Sequence, residues 1–296
     1  MDRPALTVYS DLAAVYRPER VWAEGNALAL IVAHFLSGAG AGAWLLGLVL
    51  DQRLVSLLGL IAVALGGAVH LAFLGHPGRA WKMMRRPQSS WISRGLWSMV
   101  VFIPSAALYI AGVYGAWSST SAFSTVMLVL SLIGMAGIFL YKGFVYAVSR
   151  AVPLWHSRLL PISYIALGLR GGAALTFIAL AFGGSSSAFT AAQTWWLATT
   201  AAVVFLFLLE LDAGRSDPTV RHSLGVMWRG PIGWIFFGGV VVVGLVVPLA
   251  LVLVGYAASL GAAGLLAAGV TSLAGDLAYK YCVNTAGTYV PLLRAH

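Results

Sequence analysis

The chain has 296 residues, of which 60% are hydrophobic and 9% charged, with a mean hydropathy of +0.89 and a formal net charge of +9. Soluble domains carry roughly 25% charged residues, so lipid is the main solvent of this chain and a single water-soluble domain is excluded. In a soluble protein the positive charge would suggest nucleic acid, but here the basic residues sit in particular loops, which is a signal of membrane topology.

Residues 1–25 carry both charge signs and lack the apolar core of a cleaved signal peptide, so they read as a segment ahead of a first span retained in the mature protein. A spanning helix needs ~20 mostly apolar residues. Runs of that length predict eight spans, at Asn26–Leu50, Leu54–Leu74, Ser93–Trp117, Thr125–Val148, Leu160–Phe182, Trp195–Leu211, Ile232–Tyr256 and Ala262–Val283. The fold class expected is therefore all-α integral membrane, with two four-helix bundles (26–148 and 160–283) joined by a basic loop (149–159) and followed by a C-terminal tail (284–296).

Connections after spans two, four and six are longer and basic, and the others are short or built of Gly, Ser, Ala and Thr, as in Ser185-Ser186-Ser187. The basic side collects Arg3, Arg17 and Arg20, then Arg79, Lys82, Arg85, Arg86 and Arg94, then Arg150 and Arg158, then Arg215, Arg221 and Arg229, and last Arg294; the opposite side has Arg53. The positive-inside rule puts the basic side, with both termini, in the cytoplasm of a prokaryotic inner membrane. A soluble partner docked on these loops would select for the same charges.

A weak internal repeat sets Gly38-Ala39-Gly40-Ala41-Gly42-Ala43 of span one against Gly168-Leu169-Arg170-Gly171-Gly172-Ala173 of span five. Both contain GxxxG and both spans run in the same direction, as in halves related by an axis along the membrane normal. Close helix packing explains each motif equally well.

Ionisable side chains inside a bilayer are functional candidates by default. At ~1.5 Å per helical residue, His34 of span one and Tyr141 and Lys142 of span four all lie ~9 to 12 Å from the basic side. That layer suits a quinone headgroup, whose carbonyls need hydrogen-bond donors and a proton source. The alternatives are a His or Tyr that bonds a neighbouring helix and a lysine that reaches for the surface. Arg170 lies ~15 Å deep, near the midplane, and needs a carboxylate. Asp276 is at similar depth, with Lys280 one turn away on the same helix face. The three are expected to form a buried cluster, either a structural tie or part of a proton path.

Cys282 is the single cysteine, so the chain holds no four-thiolate iron–sulfur cluster. A bis-histidine haem needs two histidines facing each other on different helices. Of six, only His34 and His70 fall within spans, at ~12 and ~6 Å depth, which argues against haem; His76, His156 and His222 fall in loops.

The second connection reads Leu74-Gly75-His76-Pro77-Gly78-Arg79-Ala80-Trp81, then Arg86-Pro87-Gln88-Ser89-Ser90-Trp91-Ile92-Ser93-Arg94-Gly95. This resembles the NrfD-like family, the membrane subunits of polysulfide reductase and dimethyl sulfoxide reductase, whose loop has a pattern like HLGRPxRxW followed by NPxSSWLSRG. The stretch from Tyr146 to Ser157, Leu160-Pro161, and Leu167 to Ala173 are also similar to that family. The chain departs from the pattern at Phe73 and His76 in place of the family's His and Arg, at Arg170 in place of a small residue, and at Tyr141-Lys142-Gly143 where YTG is common.

The resemblance implies a haem-free anchor that binds menaquinone or ubiquinone. Its implied partners are a ferredoxin-like subunit with [4Fe-4S] clusters and a molybdenum or tungsten bis-pterin subunit, docked on the basic loops. By similarity, quinone contacts fall on Asn26, His34 and Tyr141, with Lys142 beside them and Arg94 lining the same side. A secondary transporter with an anion site at Arg170 is the alternative from another class, and a purely structural anchor is a third.

Overall fold

The computed structural model describes residues 12–22, 24–74, 76–183, 186–258 and 260–295. Arg3, Gly75 and Ser185 lie outside them, as does the side chain of Arg294. Taken along the chain, the helices are α1 (Ala27–Val49), α2 (Arg53–Phe73), α3 (Trp91–Val113), α4 (Ala122–Ala147), α5 (Leu160–Leu180), α6 (Ser186–Ala213), α7 (Pro218–Trp228), α8 (Val247–Ala257) and α9 (Gly261–Thr285). A π-helical stretch, Ile235–Val246, runs directly into α8, and the two make one crossing. Among the described residues eight helices are long and apolar enough to cross a membrane. The chain is an all-α integral membrane protein, as its composition predicts.

The helices are not equally exposed. Of their central stretches, 67% of α1 and 72% of α5 are buried, against 17–39% for the other spans, so these two form the interior. Their GxxxG motifs face each other. A Cβ on Gly42 would stand 2.1 Å from the Gly168 carbonyl oxygen, and one on Gly172 2.2 Å from the Gly42 carbonyl carbon. Only glycine lets the backbones come this close. The two GxxxG motifs of the suggested repeat thus pack directly against each other.

Two parts of the chain differ from the sequence expectation. Span six begins at Ser186 rather than Trp195, because one face of its first turns packs inward although Ser187, Thr190 and Thr194 are exposed: Gln193 Nε2 donates to the Val252 carbonyl at 3.0 Å, and Ala188 and Ala192 pack with Trp196. The terminal segments are also ordered against each other. Strand β1 (Leu12–Pro18) pairs antiparallel with β2 (Thr288–Ala295), Leu12 opposite Ala295 and Pro18 opposite Thr288. The Tyr16 ring stacks on His222 of α7 at 4.2 Å, and Val290 donates its backbone N–H to the Ala151 carbonyl at 3.0 Å. Both terminal strands, α7 and the loop after α4 thus gather at one end of the molecule.

The second connection forms a 3-10 helix, Pro77–Arg85. The motif that follows holds it down. Ser90 caps α3 by accepting from the Ser93 N–H at 3.3 Å, Ser93 Oγ donates to the Met83 carbonyl, and Trp97 Nε1 donates to that of Met84 at 3.1 Å. Arg94 donates from Nε to Pro87 and from Nη2 to Gln88, both at 2.7 Å, and its guanidinium lies over the Trp91 ring.

Candidate functional site

Beneath that 3-10 helix is a cavity of about 120 Å³, lined among others by Trp22, His34, His70, Leu71, Met83, Gly95, Met99 and Tyr141. Three helices build its polar edge. His34 comes from α1 and His70 from α2, with ring centroids 5.0 Å apart, and Tyr141 of α4 stands 5.8 and 6.5 Å from them. Depth counted along each helix put the two histidines at different levels. Their side chains nevertheless meet, because ring direction and helix tilt add to position along the axis.

Hydrogen bonding sets what each group offers. His70 Nδ1 lies 3.1 Å from the Gly66 carbonyl one turn back; a carbonyl only accepts, so Nδ1 carries the proton and Nε2 of the neutral ring is left as an acceptor. His34 Nδ1 lies 3.2 Å from the Tyr146 hydroxyl. When Tyr146 donates, His34 presents Nε2–H as a donor. The Tyr141 hydroxyl is buried and meets no partner at full hydrogen-bond geometry among the described residues, the Ser37 hydroxyl being within looser reach. An unpaired buried hydroxyl costs ~1–3 kcal/mol, a cost that a ligand carbonyl at that point would remove.

Gly95 of the α3 motif positions Tyr141. A Cβ there would lie 2.3–2.7 Å from three atoms of the tyrosine ring, so the ring occupies the space glycine leaves. The rest of the lining is apolar, and Leu71 and Ile92 at its edge are 38% and 41% exposed on the lipid-facing surface. An apolar cavity of ~150 Å³ takes one benzene ring; this one, at about 120 Å³, would admit a substituted ring only if the flexible Met83 and Met99 side chains moved aside. Donors, an acceptor and an apolar opening fit a quinone headgroup with its tail in lipid.

The other candidates named from the sequence are placed differently. Asn26 is exposed just ahead of α1 and makes no side-chain cap, and Arg94 is engaged by the loop; neither lines the cavity. Lys142 does not line the cavity but lies within electrostatic reach of His34 and His70; it is buried against Gly38 of α1, where its Nζ has no hydrogen-bond partner among the described residues. His70 and Tyr146 were missed as site residues. The sequence signals were a histidine in the last turn of a span and a tyrosine five residues past Tyr141.

A second polar centre lies at the midplane. Arg170 of α5 donates from Nη1 to Asp276 of α9, from Nη2 to the Gly244 carbonyl, and from Nε to Thr200 Oγ1 of α6 at 2.9 Å. Its guanidinium also lies 4.9 Å from the Trp196 ring centre, so one side chain joins every span of the second half. The Gly244 carbonyl accepts from Arg170 near the junction of the π-helical stretch and α8, where Pro248 brings no N–H. Lys280 lies within electrostatic reach of Asp276 and also holds its Nζ 3.8 Å over the Tyr164 ring.

Among the described residues, no three of His, Cys, Asp or Glu are grouped as metal ligands. No curated protein matches the chain. The family model described as Polysulphide reductase, NrfD matches residues 21–291. With that match covering nearly the whole length, the loop and glycine motifs in their expected places and eight candidate spans, the chain belongs to the polysulphide reductase NrfD family of membrane proteins.

Proposed function

We propose that this chain is the quinone-reactive membrane subunit of an oxidoreductase complex, passing electrons between the terminal iron–sulfur cluster of a docked partner and a menaquinone or ubiquinone. The observation that carries the reading is the cavity in which His34, His70 and the Tyr141 hydroxyl converge at an apolar wall open to lipid. Bound there, a quinone supplies the redox chemistry. Tyr141 and His34 donate hydrogen bonds to its oxygens, His70 Nε2 accepts from the reduced form, and the apolar lining keeps bulk water out. The partners proposed are a ferredoxin-like [4Fe-4S] subunit and a molybdenum or tungsten bis-pterin subunit. They dock on the basic face, where Arg85 and Lys82 lie against the half-exposed Trp81 beside the cavity roof. That face is taken as cytoplasmic, in a prokaryotic inner membrane.

Arg170, Asp276 and their helix partners are proposed as a structural tie. The arginine already gives three hydrogen bonds and stacks on Trp196. An anion would have to displace Asp276, which weighs against a transporter site. The test is to purify the chain with its native partners and extract the preparation for quinone, iron and pterin. A bound quinone with an iron–sulfur subunit is expected; a chain that purifies with neither contradicts the reading.

A further inference from the structure

A second cavity, of about 320 Å³, opens on the basic face between the loop after α4, the end of α6 and α7. Asp217, His156 and Arg158 are among its lining residues, and Glu210 of α6 and Tyr279 of α9 line it too. Glu210 is the acidic residue of an otherwise apolar run from Trp195 to Leu211. Its carboxylate accepts from Ser163 Oγ of α5 at 3.3 Å.

The residues behind Glu210 lead to the quinone cavity. Tyr164 and Tyr279 are buried and within electrostatic reach of the Glu210 carboxylate. The Tyr164 ring lies 5.4 Å from that of Tyr146, and the Tyr146 hydroxyl is 3.2 Å from His34 Nδ1. Around this step the Tyr164 hydroxyl and Asn284 Oδ1 are buried without partners among the described residues, which are places where bridging water is stabilised. Glu19 also approaches Tyr146 from the basic side, but its carboxylate is committed to the Trp22 N–H at 2.9 Å and the Tyr289 hydroxyl at 3.4 Å. Lys280 faces the Tyr164 ring from α9.

We propose that Glu210 is the acid–base group through which the quinone cavity exchanges protons with water on the basic face, by way of Tyr164, Tyr146 and His34. The proposal rests on the quinone reading above. Reduction of a quinone by two electrons from the iron–sulfur partner forms two O–H bonds. Both protons come by this route in turn: each time His34 gives up the proton on Nε2 and takes one at Nδ1 from Tyr146, and a flip of the imidazole restores the starting arrangement. Tyr146 is refilled through Tyr164 from Glu210, and Glu210 from water in the outer cavity. Quinol oxidation runs the same transfers backwards, with the electrons returning to the cluster.

The experiment uses the intact complex in lipid nanodiscs. A carbodiimide is applied to the wild type and the labelled carboxyl located by mass spectrometry; quinone content, quinone affinity and turnover are then measured for wild type, Glu210→Gln and Glu210→Asp. The expected results are a label on Glu210, unchanged quinone content and affinity in both variants, turnover lowered on the order of 100-fold in Glu210→Gln, and partial recovery in Glu210→Asp. Wild-type turnover in a Glu210→Gln complex that still holds quinone, or a Glu210 that resists the carbodiimide, overturns the inlet alone. A wild-type complex without quinone overturns the quinone reading, and this inference with it.

Discussion

Gly95 shows how much a single missing methyl group decides. A Cβ at that position would meet the Tyr141 ring at 2.3 Å, so Gly95→Ala must push the ring out of the place where its hydroxyl faces the cavity. Overpacking of this kind costs ~1–3 kcal/mol. The expected outcome is a lower unfolding temperature together with loss of bound quinone, and recovery of stability but not of quinone when Tyr141→Leu is added; thermal unfolding and quinone extraction of the two variants check it. The motif around Gly95 was legible in the sequence as a family signature, and its physical role was not. Nothing in a linear pattern says that a glycine on α3 faces a tyrosine on α4. Arg94 makes the same point in reverse, since a cation next to a proposed site invites a ligand role while its donors are satisfied by the Pro87 and Gln88 carbonyls.

Helices explain why the second half needs a buried charge. Arg170, Asp276 and Gly244 come from α5, α9 and the π-helical stretch ahead of α8, so one side chain ties three helices together. Breaking a buried pair by removing one partner costs ~3–5 kcal/mol, because the other charge stays buried alone. Arg170→Leu is therefore expected to lower the folded yield and unfolding temperature of the complex, and the double variant Arg170→Leu with Asp276→Leu to regain most of both. A single variant as stable as wild type contradicts the tie; a stable double variant that has lost turnover assigns the pair to the proton path instead. The pairing of Arg170 with Asp276 was readable from depth alone, since a midplane cation has few carboxylates to choose from. Its bonds to Thr200 and Gly244 were not, because threonines abound in α6 and a backbone acceptor carries no sequence signal.

At the scale of the molecule, the number of spans and the alternation of basic and neutral connections follow from composition. The spacing of apolar runs fixes the first and lipid solvation the second. The meeting of the two GxxxG motifs was half visible, as a repeat whose copies had no assigned partner. Pairing of the terminal strands was invisible, since short polar segments form a sheet only when the fold brings them side by side. The same holds for the candidate site: depth put His34 and Tyr141 in one layer, whereas their meeting with His70 and Tyr146 required knowing which helices touch. On the proposed reading, a basic face beside the cavity would let a docked iron–sulfur subunit and the proton inlet serve one headgroup from one side of the membrane.

The measurement that bears most directly on this account is the quinone content of the purified complex in wild type, His34→Ala and Tyr141→Phe, with stability followed in parallel. The account predicts a bound quinone in the wild type, reduced in Tyr141→Phe and lost in His34→Ala, while both variants stay folded and keep their partners. Full quinone content in both folded variants would place the quinone elsewhere and contradict the assignment of the cavity.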